Sequence, residues 1–356
     1  MPFTPLPPRF KAPSKTRHTE LAAVLGEAGR DHELLVALAP EAARFQVLVP
    51  GTPPQEQPVS SWTWGAAAPE ELPLQGALLT AGPEGLLLTD GGEEDGDRVR
   101  LDVWRGPQKV RTLTGASFAV WAPEGRLVHG RLCLTSRIEG LAVIDLDTGQ
   151  RLHTLAPRGP PGPQTPPPLP FSPLPDGGIA VGNGASLVLH DLASGEKRRE
   201  FPLPPDQVVH ALAISPDGKT ALLAMGDPRA LVHNRFVAMD LETGGVTELL
   251  SAQKPLRCRV AWAAQGRLAV TSTSEGHVQL WEPTTWQPLE TLRLEPENHS
   301  KSMDLYPWDA HQALVVKGMR GLLYVFTVSA EPLADAPPAR GGKAARGAAK
   351  GAKAAR

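Results

Sequence analysis

The segment TDGGEEDGDR, residues 89–98, places five acids in ten residues, and carboxylates packed this closely suit a hard cation such as calcium. The calcium loop, however, needs oxygen ligands at alternate positions, a glycine at the sixth and a glutamate at the twelfth. Glu93, Glu94, Asp95 and Asp97 do not keep that spacing, so a solvated loop is expected. Ten histidines, at 18, 32, 129, 153, 190, 210, 233, 277, 299 and 311, form no pair with the ligand spacing of a helix or hairpin. They are expected to be isolated, satisfied side chains. Cys133 and Cys258 lie far apart and are expected to be buried free thiols in a reducing compartment. The serine-hydrolase elbow, the phosphate-cradling Gly-rich loop with Lys-Ser/Thr and the His-Glu-x-x-His motif are all absent. No catalysis, no cofactor and no resident metal are expected.

The elements that would carry any site are short and numerous. Pro (38) and Gly (35) supply a fifth of the 356 residues without collagen-like periodicity, which implies many short elements joined by turns. Two phrases repeat. The first is an alternating apolar run, an acid, a turn and a second run: LAVIDLDTGQRLHTL (141–155), LVLHDLASGEKRREF (187–201), FVAMDLETGGVTELL (236–250) and VQLWEPTTWQPLETL (278–292). The second is a hairpin: VWAPEGRLVHG (120–130), AISPDGKTALLA (213–224) and AWAAQGRLAVT (261–271), with looser copies at 79–89 and 171–182. Its turns are assigned to Gly85, Gly125, Gly177, Gly218 and Gly266. In this register Trp121, Ile214 and Trp262 share one column, the last apolar residue before the turn, and are expected to pack between sheets.

Four short strands in about 45 residues make a sheet that cannot cover both of its faces alone, so copies must stack. Radial stacking into a ring solves the packing and leaves few open edges. The predicted fold is all-β, a seven-bladed propeller of four-stranded antiparallel blades over residues 19–333. The blades are set at 19–59, 60–113, 114–155, 156–201, 202–250, 251–292 and 293–333. A strand from the basic, Pro-rich arm at 1–18 is a candidate for closing the ring, since an unpartnered last blade would leave an open edge. A tandem of sandwiches is the alternative architecture.

STSEGHVQLWEPTTW (272–286), with Trp281-Glu282 in the place of a Trp-Asp pair, and ALAISPDGKTALLA (211–224) resemble the WD-repeat family of β-propellers. The likeness covers about residues 19–333. The Gly-His dipeptide of that family is missing and Trp-Asp never occurs intact, so the family's buried hydrogen-bond network is not carried over. The resemblance implies a rigid ring that displays loops on two faces.

Charge is uneven. The net −2 hides two acid-free basic ends: Arg9, Lys11, Lys15 and Arg17 within 1–18, and Arg340, Lys343, Arg346, Lys350, Lys353 and Arg356 within 334–356, after Asp335. Without these ten cations the body has 26 basic against 38 acidic residues, a net −12. The Ala/Gly-rich segment ARGGKAARGAAKGAKAAR (339–356) is expected to be disordered and to give weak, non-specific contact with nucleic acid. No apolar run is long enough to cross a membrane and the first residues lack a secretory core, so a soluble cytoplasmic protein without membrane contact is expected.

A motif-poor repeat scaffold favours a non-catalytic protein-interaction role, with one or more proteins as partners. Its binding face is expected where first strands enter and second-to-third loops emerge, bringing together Arg229, His233, Arg257, Arg259, His277, Lys317 and Arg320, with Glu93, Glu94, Asp95 and Asp97 elsewhere on the same face. Two other functions stay open: a nucleic-acid-associated factor acting through the basic ends, and an enzyme or small-molecule binder using the central channel. The Pro-rich stretch 157–175 is expected to be a stiff inter-blade loop.

Overall fold

A computed structural model describes residues 101–105, 108–113, 125–135, 140–157, 169–227, 235–251 and 258–291 with their side chains, a few single positions besides, and further strands by their backbone. The described residues are all-β, without helix, and their strands pair into four-stranded antiparallel sheets. After β1 (Phe3–Pro5) comes sheet I, with β2 (Glu20–Val24), β3 (Leu34–Ala39), β4 (Arg44–Val47) and β5 (Gln55–Pro58). A two-stranded pair, β6 (Ser60–Ser61) and β7 (Glu70–Glu71), follows. Sheet II holds β8 (Leu78–Gly82), β9 (Leu86–Glu93), β10 (Arg98–Arg105) and β11 (Gln108–Ala119), and sheet III holds β12 (Glu124–Val128), β13 (Arg131–Ser136), β14 (Gly140–Asp145) and β15 (Arg151–Leu155). Sheet IV comprises β16 (Phe171–Pro173), β17 (Gly178–Asn183), β18 (Ser186–Asp191) and β19 (Lys197–Pro202). Sheet V is built from β20 (Val208–Ile214), β21 (Thr220–Gly226), β22 (His233–Asp240) and β23 (Val246–Leu256), and sheet VI from β24 (Cys258–Ala263), β25 (Leu268–Thr273), β26 (His277–Trp281) and β27 (Pro288–Arg293). Sheet VII consists of β28 (Asp304–Trp308), β29 (Ala313–Lys317), β30 (Leu323–Val328) and, as its fourth strand, β1.

Inner strands read as nearly continuous apolar runs because both faces are covered. In β13, Leu132 and Leu134 pack against sheet II, while Cys133 between them packs against sheet IV. In β17, Ile179 and Val181 face sheet III and Ala180 faces sheet V. Each consecutive pair of sheets from II to VII shares such a core. Each fully buried Leu, Ile or Val in these seams contributes roughly 1.5–3 kcal/mol. The first strands are neighbours as well: β2 lies beside both β8 and β28, β8 beside β12, and β16, β20, β24 and β28 beside one another in turn.

The repeated acid sets the turn between third and fourth strands. Asp191 Oδ1 accepts the backbone N–H of Ala193 (3.0 Å), the N–H of Ser194 (2.8 Å) and the Ser194 hydroxyl (3.1 Å). That hydroxyl in turn accepts the N–H of Glu196, and Gly195 N–H returns to the Asp191 carbonyl at 2.9 Å. Asp145 with Thr148 and Asp240 with Thr243 repeat this network. Glu282 with Thr285 reproduces it with one more methylene. The next residue takes a positive φ, at Gly149 (72°), Gly195 (76°) and Gly244 (78°), where a side chain would be strained. Sheet VI breaks the rule, because Trp286 holds that place at φ 56°.

These turns dock on the preceding sheet. A Cβ on Gly195 would come within 2.8 Å of the His153 ring, one on Gly149 within 3.1 Å of Leu113, and one on Gly244 within 3.3 Å of Phe201. From the outer strand of each preceding sheet, one side chain also reaches across to the turn carbonyls. Arg111 donates to Leu146 O (3.3 Å), the His153 Nε2 donates to Ala193 O (2.7 Å), and Arg199 donates to Leu241 O (2.9 Å) and Glu242 O (2.8 Å).

One hairpin differs from the sequence register. Gly125 is not a turn residue but lies inside β12, paired with Leu134. The turn falls at His129-Gly130, with φ values of 47° and 75°. Two successive positive φ angles are what a two-residue hairpin of the right twist requires. Val128, rather than Trp121, therefore stands before the turn, buried in the seam with sheet IV; Trp121 lies outside the described residues. Gly177, Gly218 and Gly266 do sit in their turns, at φ 82°, 74° and 84°.

Candidate functional site

In sheet VI the end where the first strand begins is built by three short pieces. Cys258 and Arg259 open β24, Thr273 closes β25, and a turn through Gly276 (φ 86°) leads to His277 at the start of β26. Cys258 pairs with Thr273 and Arg259 with Ser272, so Arg259 and His277 belong to the same end of the sheet. His233 opens β22 opposite Gly226 in sheet V, and Lys317 closes β29 opposite Asp304 in sheet VII. Glu93 closes β9 at the corresponding end of sheet II. Arg229, Arg257, Arg320, Glu94, Asp95, Asp97 and the segment 340–356 lie outside the described residues.

Arg259 is coupled electrostatically to sheet V. His210, three residues into β20, and Asp227, just past the end of β21, interact electrostatically with each other, and Arg259 acts on the same imidazole. Burial is the main influence on His210 and pulls its basicity below that of a free imidazole. A hydrogen bond with the Asp227 backbone opposes that shift, the Arg259 charge reinforces it, and the Asp227 charge opposes it. The net effect favours the neutral imidazole of His210. This cluster spans the V–VI seam, where β20 and β24 are neighbours. Sequence reasoning did not single out His210 and Asp227 because the interacting residues lie 17 to 49 positions apart in the chain. Nothing local distinguishes them.

The buried groups at this end are not activated. Burial pushes the Cys258 thiol up to about 12 against the pull of Arg259, and Cys133 likewise to about 12 against that of Arg131. Thiols held so far from the thiolate are poor nucleophiles and poor metal ligands. Thr273, across from Cys258, is buried, and its hydroxyl has no hydrogen-bond partner among the described residues. Among the described residues no three of His, Cys, Asp and Glu lie close enough to hold a metal ion, and no helix is long and apolar enough to cross a membrane. The arrangement is a largely buried imidazole under the influence of one guanidinium and one carboxylate at the seam between two sheets.

No family model matches the chain, and no curated protein matches it.

Proposed function

We propose that the chain is a seven-bladed, WD-like β-propeller that holds partner proteins and carries out no chemistry of its own. The observation that carries this reading is the succession of neighbouring sheets. Sheets II to VII share cores pairwise, β2 of sheet I lies beside both β8 and β28, and β1 completes sheet VII. Such a succession returns to its start, which is the requirement for a ring without open edges.

The recognition face in this proposal is the end where first strands begin, with Arg259 and His277 of sheet VI, His233 of sheet V and Lys317 of sheet VII as its named positions. Complementary charge accelerates encounter with a partner. The buried free thiols of Cys133 and Cys258 fit a reducing compartment, so the proposed location is the cytoplasm.

Quantitative affinity purification from native extract tests the face. Arg257→Glu together with Arg259→Glu is expected to remove a defined subset of co-purifying proteins while the far-ultraviolet circular dichroism spectrum stays β-type. Undiminished capture of every partner removes this face from the proposal.

A further inference from the structure

The seams from sheet II to sheet V all grip the turn between third and fourth strands, and the seam between sheets V and VI does not. Arg111 reaches Leu146 O, His153 reaches Ala193 O, and Arg199 reaches Leu241 O and Glu242 O, each from the outer strand of the preceding sheet. In sheet VI, Pro283 and Thr284 follow Glu282 as Leu241 and Glu242 follow Asp240. Among the described residues no side chain donates to their carbonyls.

A shift of register removes the donor. Arg199 stands across from Leu189, two residues before its turn acid Asp191. Across from Ala238, two residues before Asp240, β23 places Thr247, because its bulge comes later, between Phe236 and Val237. Glu248, eight residues past Asp240 as Arg199 is past Asp191, falls opposite Val237. Val237 packs toward sheet IV and Ala238 toward sheet VI. Thr247 is exposed and makes no bond to the turn.

The remaining surroundings of an arginine are in place. Arg199 stacks over Phe201 at 4.7 Å, and Phe201 lies 3.3 Å from a Cβ built on Gly244. The half-buried Trp286 holds that place in sheet VI, so an indole starts beside the two carbonyls. A bulky residue at φ 56° is a costly choice, of the kind that persists where a ligand is held. Leu250 leaves apolar surface exposed on β23, at 38 %. From Val246 to Ser251 and from 282 to 287 the charges are Glu248 and Glu282, with no lysine or arginine.

We propose that the outer seam between sheets V and VI is a second docking surface, which takes an arginine-bearing segment of a partner protein. The guanidinium fills the place that Arg199 fills in the neighbouring seam, donating to the carbonyls of Pro283 and Thr284 and stacking on Trp286. Arginine suits it better than lysine, since a planar fork spans two acceptors and stacks on an indole. The surface lies on outer strands, apart from the end where first strands begin, and stands whether or not that end binds.

The test labels the full chain with fluorotryptophan and follows the Trp286 signal by fluorine NMR, assigned from the chain carrying Trp286→Phe. The probe is acetyl-Leu-Arg-Leu-amide, and its control has citrulline in place of arginine, equal in length but uncharged. The Trp286 signal is expected to shift saturably with the arginine peptide, at a half-saturating concentration about tenfold or more below that of the control, because charged donors give the stronger bonds. Thr247→Arg supplies the cation from the strand position that pairs as Arg199 does. In that chain the Trp286 signal is expected to be displaced without peptide and to lose its response to the peptide. A Trp286 signal in the unaltered chain that ignores the arginine peptide, or answers both peptides alike, overturns the proposal. So does an undiminished response in a folded Thr247→Arg chain.

Discussion

The seams between sheets IV and V and between sheets V and VI use the same turn and fill it from opposite sides. In the first, Gly244 leaves room above it, and Phe201 of the preceding sheet moves in, 5 % exposed. Arg199 stacks over Phe201 at 4.7 Å and donates to the turn carbonyls of Leu241 and Glu242. In the second seam the place of Gly244 is taken by Trp286, which meets Trp262 edge to face at 6.2 Å. The preceding strand then contributes less. Leu250, in the place of Phe201, is 38 % exposed, and Glu248, in the place of Arg199, turns to Arg235 of its own sheet. Aromatic mass at the seam is preserved while its supplier changes. The turn backbone is thus fixed by the acid and hydroxyl, and tolerates a positive φ at a tryptophan because the seam holds the ring.

The largest expected effect comes from giving one seam the solution of the other. Gly244→Trp places a second ring where Phe201 already packs and is expected to cost about 3 kcal/mol, from the positive φ and overpacking together. Adding Phe201→Leu should recover part of that loss. Urea midpoints that fail to show the recovery would break the idea of exchangeable suppliers. Next in size, Trp286→Ala removes the edge-to-face pair while keeping the strained backbone, at an expected cost of about 2 kcal/mol. Trp286→Gly should be milder by about 1 kcal/mol because glycine relieves the φ; the reverse order would mean that the turn is not where the strain resides. Smaller still, Arg199→Ala is expected to lose about 1 kcal/mol for two hydrogen bonds. Arg199→Lys should recover little, as a single ammonium cannot span both carbonyls.

The acids of the turns add a pH dependence of definite sign. Hydrogen bonds from Thr285 lead in holding Glu282 down at about 2. Those from Thr148 and Thr243 lower Asp145 and Asp240, and Asp191 is lowered first by Arg198 and then by Ser194. A carboxyl whose folded value is depressed stabilises the fold above its unfolded value and loses that contribution as pH falls toward the folded one. For Glu282 this window runs from about pH 4.5 down to about pH 2. Thermal midpoints should fall through that range, and Glu282→Gln should flatten the fall; an unchanged profile would contradict the role of the turn acid.

Much of this was legible in the sequence because it is local. Asp145, Asp191, Asp240 and Glu282 marked their turns through an acid and a hydroxyl three residues apart. Gly177, Gly218 and Gly266 marked their hairpins by conformation. The hairpin of sheet III was misassigned because Pro123-Glu124-Gly125 imitates Pro216-Asp217-Gly218, whereas the stronger two-residue signal was His129-Gly130. The carbonyl-gripping side chains were visible in principle, as His153 and Arg199 each stand eight residues beyond their turn acid. The cluster of His210, Asp227 and Arg259 was not legible, since neighbouring sheets assemble it and no spacing announces it.

Ring closure is the central claim, and the register of β1 against β30 tests it directly. Opposed residues of an antiparallel pair have Cα atoms about 4.5–5.5 Å apart, within the range a disulfide spans. Thr4 and Thr327 are such a pair. Cys133 and Cys258 are buried with thiols pushed up to about 12, so they do not compete for oxidation. In the chain carrying Thr4→Cys and Thr327→Cys, mild oxidation followed by non-reducing peptide mapping should recover residues 4 and 327 in one cross-linked peptide from monomeric protein. Free thiols at both positions after oxidation, in protein that retains its β-type spectrum, would contradict the closed ring.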